Sequence, residues 1–216
     1  MLSIVGENAN WENLLIWSSE DKGDLMSLNG HCIKHLGKAG YNGESMIRTT
    51  KPIDPGLELY YFEMTVRQPG EGGVIGIGLT KNTEKSRNGE LPGWFDGSIG
   101  YHGDDGGIYH NAGISIASSD PYYTGDTVGC GLKKMMIGQE MYRLCFFTLN
   151  GQKVAHTRFL GDGDLFPTIG LGDGGSEVET NLGYKEFVFD LEGMYTYYSH
   201  IIHSRNRFKF AKPYSM

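Results

Sequence analysis

Glycine follows asparagine or aspartate repeatedly along this chain, at Asn29-Gly30, Asn42-Gly43, Asn88-Gly89, Asp105-Gly106 and Asn150-Gly151. Such dipeptides supply the positive φ angles of tight hairpin turns, so they divide a chain into many short antiparallel strands. The stretches between them carry the matching period. From Tyr60 to Val66, the residues Tyr60, Phe62, Met64 and Val66 share one face while Tyr61, Glu63 and Thr65 share the other, an alternation with one apolar side. From Val74 to Leu79, Ile75, Ile77 and Leu79 point one way and Gly76 and Gly78 the other, which predicts close approach of another layer over the glycine side.

Further strands are expected at Cys32 to His35, Ser45 to Thr49, Gly97 to His102, Asp126 to Leu132, Arg143 to Leu149, Lys153 to His156, Phe166 to Leu171 and Glu177 to Asn181. The pair flanking Asn150-Gly151 reads as a hairpin. Strands at this spacing, with turn chemistry between them, predict an all-β sandwich. Helical spacing is confined to Met194 to Arg205, where Tyr195, Tyr198 and Ile202 share a face. The polar stretch Lys81 to Glu90 is expected to be a mobile surface loop.

A length of 216 residues suits one sandwich. The odd number and wide spacing of Cys32, Cys130 and Cys145 argue against a disulfide framework or a zinc site and predict buried reduced thiols. Met1 to Gly6 lacks the cationic flank and apolar run of a secretory signal, and no Asn-x-Ser/Thr acceptor or long apolar stretch occurs. A cytoplasmic location, with the nucleus also open, is therefore expected. The net charge of −7 argues against nucleic acid and anionic membranes as partners. Arg205, Arg207, Lys209 and Lys212 form a local exception, read as a solvated basic end.

Three constellations invite chemical readings. Gly170, Gly172 and Gly175 have dinucleotide-type spacing, but they lead from one strand pattern to another rather than into a helix, so a glycine-rich turn is the better account. His102, Asp104 and Asp105 gather an imidazole and two carboxylates, yet Asp-Asp-Gly is more simply a turn in which a carboxylate caps backbone N–H groups. His200 and His203 lie three apart without a third ligand nearby in sequence. No Gly-x-Ser-x-Gly elbow occurs and no cysteine is near a histidine in sequence, so no nucleophile, acid and base set can be assembled. The chain is richest in loops that set aromatics beside glycine or proline, Leu91-Pro92-Gly93-Trp94-Phe95 and Pro121-Tyr122-Tyr123, and such side chains suit recognition. Trp94 plugging the edge of the sandwich is the competing reading.

Taken in order, Tyr60-Tyr61-Phe62-Glu63, Ile75-Gly76-Ile77-Gly78-Leu79, Leu91-Pro92-Gly93-Trp94, Ser98 to Gly106, Gly125 to Gly131, Phe146 to Gly151 and Leu165 to Gly170 resemble the SPRY (B30.2-like) domain family from Ser45 to about Asp190. Within it the chain is similar to the SPRY domains of the Ran-binding scaffold proteins of the CTLH ubiquitin ligase, which share Tyr-His-Gly-Asp-Asp-Gly and a closing segment like Phe187 to Asp190, and to the protein with two SPRY copies. In those scaffolds LisH and CTLH helices follow the domain, and Met194 to Met216 resembles neither.

The resemblance implies a bent two-sheet antiparallel sandwich, concanavalin-like, at residues 45–190, with residues 1–44 an extension packing on it and 191–216 a tail. It implies no cofactor, no catalysis, and a protein partner whose peptide or loop is bound through sandwich loops, as in an adaptor or scaffold of a ubiquitin-ligase or signalling assembly. The corresponding positions are Arg48 with Lys51, Pro92, Gly93, Trp94 and Phe95 with Tyr101, and Asp173, Gly174 and Gly175; Tyr109 is added from its place after the Asp-Asp-Gly turn, and the competing readings are Arg48 as an internal salt-bridge partner and Tyr101 as a core residue. A lectin-like sandwich, with aromatics stacking on sugars and Asp104 or Asp105 holding calcium, is the alternative.

Overall fold

Strand alternation and turn glycines resolve into two stacked sheets. The computed structural model describes residues 15–38, 42–81, 88–137, 139–159 and 163–194. Their strands are β1 (Trp17–Lys22), β2 (Met26–Asn29), β3 (Cys32–His35), β4 (Asn42–Thr49), β5 (Leu59–Gln68), β6 (Ile75–Lys81), β7 (Ser98–His102), β8 (Gly107–His110), β9 (Ile114–Ser118), β10 (Thr127–Ile137), β11 (Glu140–Leu149), β12 (Gln152–Phe159), β13 (Leu165–Asp173) and β14 (Glu177–Asn181). The first sheet runs β1-β4-β13-β6-β7-β8-β9 and the second β12-β11-β10-β5-β14-β3-β2. Neighbouring strands pair antiparallel throughout. The stretch before Ser45 contributes β1 to the first sheet and β2 and β3 to the second.

The expected hairpin is formed by β11 and β12, with positive φ at both Asn150 (49°) and Gly151 (78°), as its two-residue turn requires. Asn42-Gly43 makes no turn: both residues open β4, with Asn42 opposite Asp173. The glycine-spaced stretch at Gly170, Gly172 and Gly175 passes from β13 through a turn into β14.

The core lies between the sheets. Ile47, Ile77, Leu79, Ile99, Tyr101 and Ile169 of the first meet Ile33, Phe62, Met64, Val66, Val128, Phe147 and Val178 of the second, all fully buried. The alternation in β5 suggests one apolar side, but Tyr61 and Glu63 on its other side are buried too. The chain beyond β14 turns back over them, and Tyr61 packs with Phe146, Phe187, Phe189 and Leu191 in a second apolar cluster. Gly129 and Gly131 on β10 make room for it, because a Cβ at either would collide with the Tyr61 hydroxyl or the Phe146 ring.

Leu191 to Met194 form one helical turn, capped where the Asp190 carboxylate accepts from the Gly193 amide at 2.8 Å. The rest of the predicted tail helix, His200 and His203, the basic end, Met1 to Gly6, and residues 82–87 of the Lys81 to Glu90 loop lie outside the described residues.

Candidate functional site

The outer face of the first sheet is built around glycine. Strand register sets Arg48, Thr168, Gly78, Gly100 and Tyr109 side by side in one row across β4, β13, β6, β7 and β8. The neighbouring row is Met46, Gly170, Gly76 and His102. Large side chains therefore stand at the margins of a floor that has almost none in its middle.

Into this trough lies the loop Leu91 to Phe95. A Cβ at Gly76 would sit 3.2 Å from Pro92 Cδ, one at Gly170 would sit 3.0 Å from the same atom, and one at Gly100 would strike the Pro92 carbonyl. The close layer predicted on this side is this loop over Gly76, whereas a Cβ at Gly78 would strike the Ile99 carbonyl of β7. Ser98 fastens it, accepting from the Gly93 amide at 2.8 Å while its hydroxyl donates to the Phe95 carbonyl at 2.6 Å. His102 Nε2 lies 2.9 Å from the Pro92 carbonyl, which can only accept, so this nitrogen carries the proton. Burial holds the His102 pKa below its ordinary value.

Replacing Gly100 by alanine is therefore expected to lift the loop, since the added Cβ would meet backbone, the Pro92 carbonyl, rather than the end of a flexible side chain. Overpacking of this kind costs about 2 kcal/mol. A lowered urea midpoint together with a shifted Trp94 indole N–H resonance would be the result; an unchanged midpoint would mean the loop is not seated on the glycines.

Leu91 and Phe95 are buried anchors, and Trp94 between them is only half-buried. Its ring lies 5.3 Å from that of His102, which lies 4.7 Å from that of Tyr109. Asp105 accepts from the Gly107 amide at 2.7 Å and from the Tyr109 hydroxyl. That bond pushes the Tyr109 pKa up to about 12. The face thus offers aromatic surface with the Asp105 carboxylate at its rim.

Of the sequence-predicted residues, Pro92, Gly93, Trp94, Phe95 and Tyr109 come together here, with Gly93 close-packed on Tyr109. The others do not join them. Tyr101 is a core residue: its ring meets Tyr122 at 5.1 Å and Phe147 at 5.9 Å, and its hydroxyl donates to the Asp120 carbonyl. The parity of β7 explains the correction, because Ile99 and Tyr101 face inward together while His102 faces out. Arg48 is buried in an ion pair with Asp21, with its guanidinium 4.9 Å over the Phe166 ring.

Asp173 is also buried, accepting from the Gly72 amide at 3.1 Å and the Val74 amide at 2.9 Å, so it clamps the connection between β5 and β6. Gly174 packs against the backbone of Lys38, and Gly175 is exposed at a φ of 85°. Lys51 is exposed beyond the far end of β4, whose first residue lies opposite Asp173. At roughly 3.3 Å per residue, Lys51 and the Asp173 turn cannot belong to one small patch. Tyr122 is buried and Tyr123 exposed. Sequence reasoning missed His102 and Ser98 as parts of the site, and the alternation of β7 was the available signal for both.

The Asp-Asp-Gly segment is a capped turn, Asp105 being engaged with Gly107 and Tyr109. Among the described residues no three His, Cys, Asp or Glu side chains converge as a metal site. Cys130 and Cys145 are buried free thiols whose sulfurs lie 3.8 Å apart, and burial pushes the Cys130 pKa up.

Comparison with known proteins agrees with this architecture. The family model for the SPRY domain matches residues 59–185. Ran-binding protein 10 of Danio rerio is 32% identical over 191 residues, which is 87% of this chain and 30% of that protein. Ran-binding protein 9 of Homo sapiens is 33% identical over 180 residues, 82% of this chain and 24% of that protein. This chain therefore spans less than a third of the length of either relative. A crystal structure of a human SPRY domain superposes with a TM-score of 0.64 at 24% identity, covering 76% of this chain and 98% of that one.

Proposed function

Because this chain belongs to the SPRY-domain family, a family of protein-interaction modules, we propose that it binds a peptide or loop of a partner protein on the face around Leu91 to Phe95. The observation that carries this reading is the half-buried Trp94, held by buried Leu91 and Phe95 on a glycine floor beside His102 and Tyr109. Such a loop presents a large side chain already ordered before the partner arrives, so little conformational entropy remains to be lost on binding. The domain acts as an adaptor, joining that partner to a larger assembly. The Ran-binding proteins are named for one partner, and the same face is where a partner of this chain would be sought.

The test pairs Trp94→Ala with Tyr109→Ala in a pull-down from cell lysate, followed by titration of the purified partner. Both residues are partly exposed, so the double variant is expected to melt within a few degrees of the parent. It is also expected to lose the partner by tenfold or more, the behaviour of central aromatic anchors. Equal capture by a folded double variant would exclude this face.

A further inference from the structure

The four edges of the two sheets are not protected alike. β1 carries Glu20, Asp21 and Lys22, and β12 carries Lys153 and His156. β2 is only four residues long, and its Met26 carbonyl accepts from the Lys22 ammonium at 2.8 Å. Charge, shortness and capping of this kind keep exposed edges from pairing with other chains. β9 lacks the charge, and its Ser115 hydroxyl reaches the Ala117 carbonyl only at 3.5 Å. Among the described residues it is paired on one side only, to β8, and all five of its residues are exposed, Ile114 at 61% and Ile116 at 40%. From Asn111 through Ser119 there is no charged residue and no proline. Its one irregularity is a bulge, where Tyr109 faces Ser115 and Ile108 faces Ala117, leaving Ile116 as the extra residue.

Beside the C-terminal end of β9 stand three exposed carboxylates. The Ser119 amide donates to the Gly106 carbonyl at 2.8 Å, which sets the Asp104-Asp105 turn against Ser119 and Asp120. Burial and the charge of Asp105 both push the Asp104 pKa up, so negative charge is crowded at this corner.

We propose that β9 accepts an added strand from a partner protein, running antiparallel, with lysine or arginine just before its paired residues so that the cation meets Asp104, Asp105 and Asp120. Backbone hydrogen bonds to the free edge supply the attraction, and the acidic corner supplies direction and selectivity. An antiparallel addition continues the pairing of the whole sheet and brings the N-terminal end of the incoming strand to the acidic corner. A second copy of this chain does not fit the same requirement: the residues before its own β9, Asn111 to Gly113, bring no cation, and each copy carries a net charge of −7. The site adjoins the Leu91 to Phe95 face, sharing Asp105 with its rim and joined to it where the Gly113 amide donates to the Gly93 carbonyl at 3.0 Å, but it uses the free edge of β9 and does not rest on the function proposed for that face.

The test uses two synthetic peptides with one alternating valine and threonine core, led by Lys-Arg in one and by Glu-Glu in the other. Amide hydrogen exchange and titration are followed on the folded chain. The basic peptide is expected to slow exchange at residues 114–118 and to bind about tenfold more tightly than the acidic one. Ile116→Lys is expected to abolish that protection, and Asp104→Asn with Asp120→Asn to remove most of the difference between the peptides; these side chains are exposed, so the variants fold. Equal binding of both peptides, protection at residues 91–95 instead of β9, or a dimer that protects β9 without peptide would each overturn the proposal.

Discussion

Tyr101→Ala is expected to lower stability by about 4 kcal/mol, the ordinary cost of emptying an aromatic site in a closed core. The ring is enclosed by Tyr122 and Phe147, and the Tyr122 hydroxyl in turn donates to the Tyr101 carbonyl at 3.0 Å and to the Ile75 carbonyl at 2.8 Å. Removing the ring therefore leaves a void beside a second buried tyrosine that is itself held by the same strand. Urea unfolding should show a lower midpoint with an unchanged slope, and melting should fall by about 12 °C for a domain of this size. Tyr101→Phe is the control, since it keeps the ring and deletes only the hydroxyl, with its bond to the Asp120 carbonyl, costing about 1 kcal/mol. If alanine at this position melts like the parent, Tyr101 is not a core residue.

Glu63→Ala is expected to cost about 2 kcal/mol, for a different reason, the loss of an acceptor for buried donors. Glu63 is buried on the outer side of β5, under the chain that returns after β14. Its carboxylate accepts from the Val188 amide at 3.1 Å and 3.2 Å, from Asn181 Nδ2 at 3.3 Å and from the Tyr61 hydroxyl at 3.1 Å. Tyr61 and Asn181 keep other partners, at Thr148 Oγ1 and at the Lys185 and Glu186 carbonyls, whereas the Val188 amide is left without an acceptor. The loss should therefore be local as well as global. Faster amide exchange at Val188 and faster proteolysis after Asn181 are expected in Glu63→Ala, and Glu63→Gln, which retains one acceptor oxygen, should fall between it and the parent. Identical exchange at Val188 in all three would show that Glu63 does not hold this segment.

The strands that the sequence revealed are those with buried apolar alternation. β5, β6 and β13 show it because one face of each is closed by the other sheet. β3 and β14 run as read, Cys32–His35 and Glu177–Asn181. β1 reads Trp-Ser-Ser-Glu-Asp-Lys, without alternation, and is tied in by contacts remote in sequence, such as the 2.7 Å bond from Trp17 Nε1 to Thr180 Oγ1. β8 and β9 are short and lie at a sheet margin, where the pattern of burial fades. At the site, Pro92 to Phe95 were legible because aromatic residues beside glycine and proline announce an ordered loop. For Arg48 an internal salt bridge was the competing reading, but its partner Asp21, on another strand, could not be named from sequence. The resemblance to a family placed Tyr101 at the surface, although the alternation of Ile99 with Tyr101 already pointed inward.

The return of the chain over β5 also bears on how this domain can be carried from one longer protein to another. The family model ends at residue 185, but Phe187, Phe189 and Leu191 complete the cover over Tyr61 and Phe146. A copy cut at that boundary would expose two aromatic rings and strand the Glu63 carboxylate, and a copy begun at β4 would lose an outer strand from one sheet and two from the other. The portable unit, the length that recombination must move together, therefore includes at least Leu15 to Met194, since Leu15 packs on the core, the Ile16 carbonyl accepts from the Thr50 amide, and Met194 packs on the second cluster.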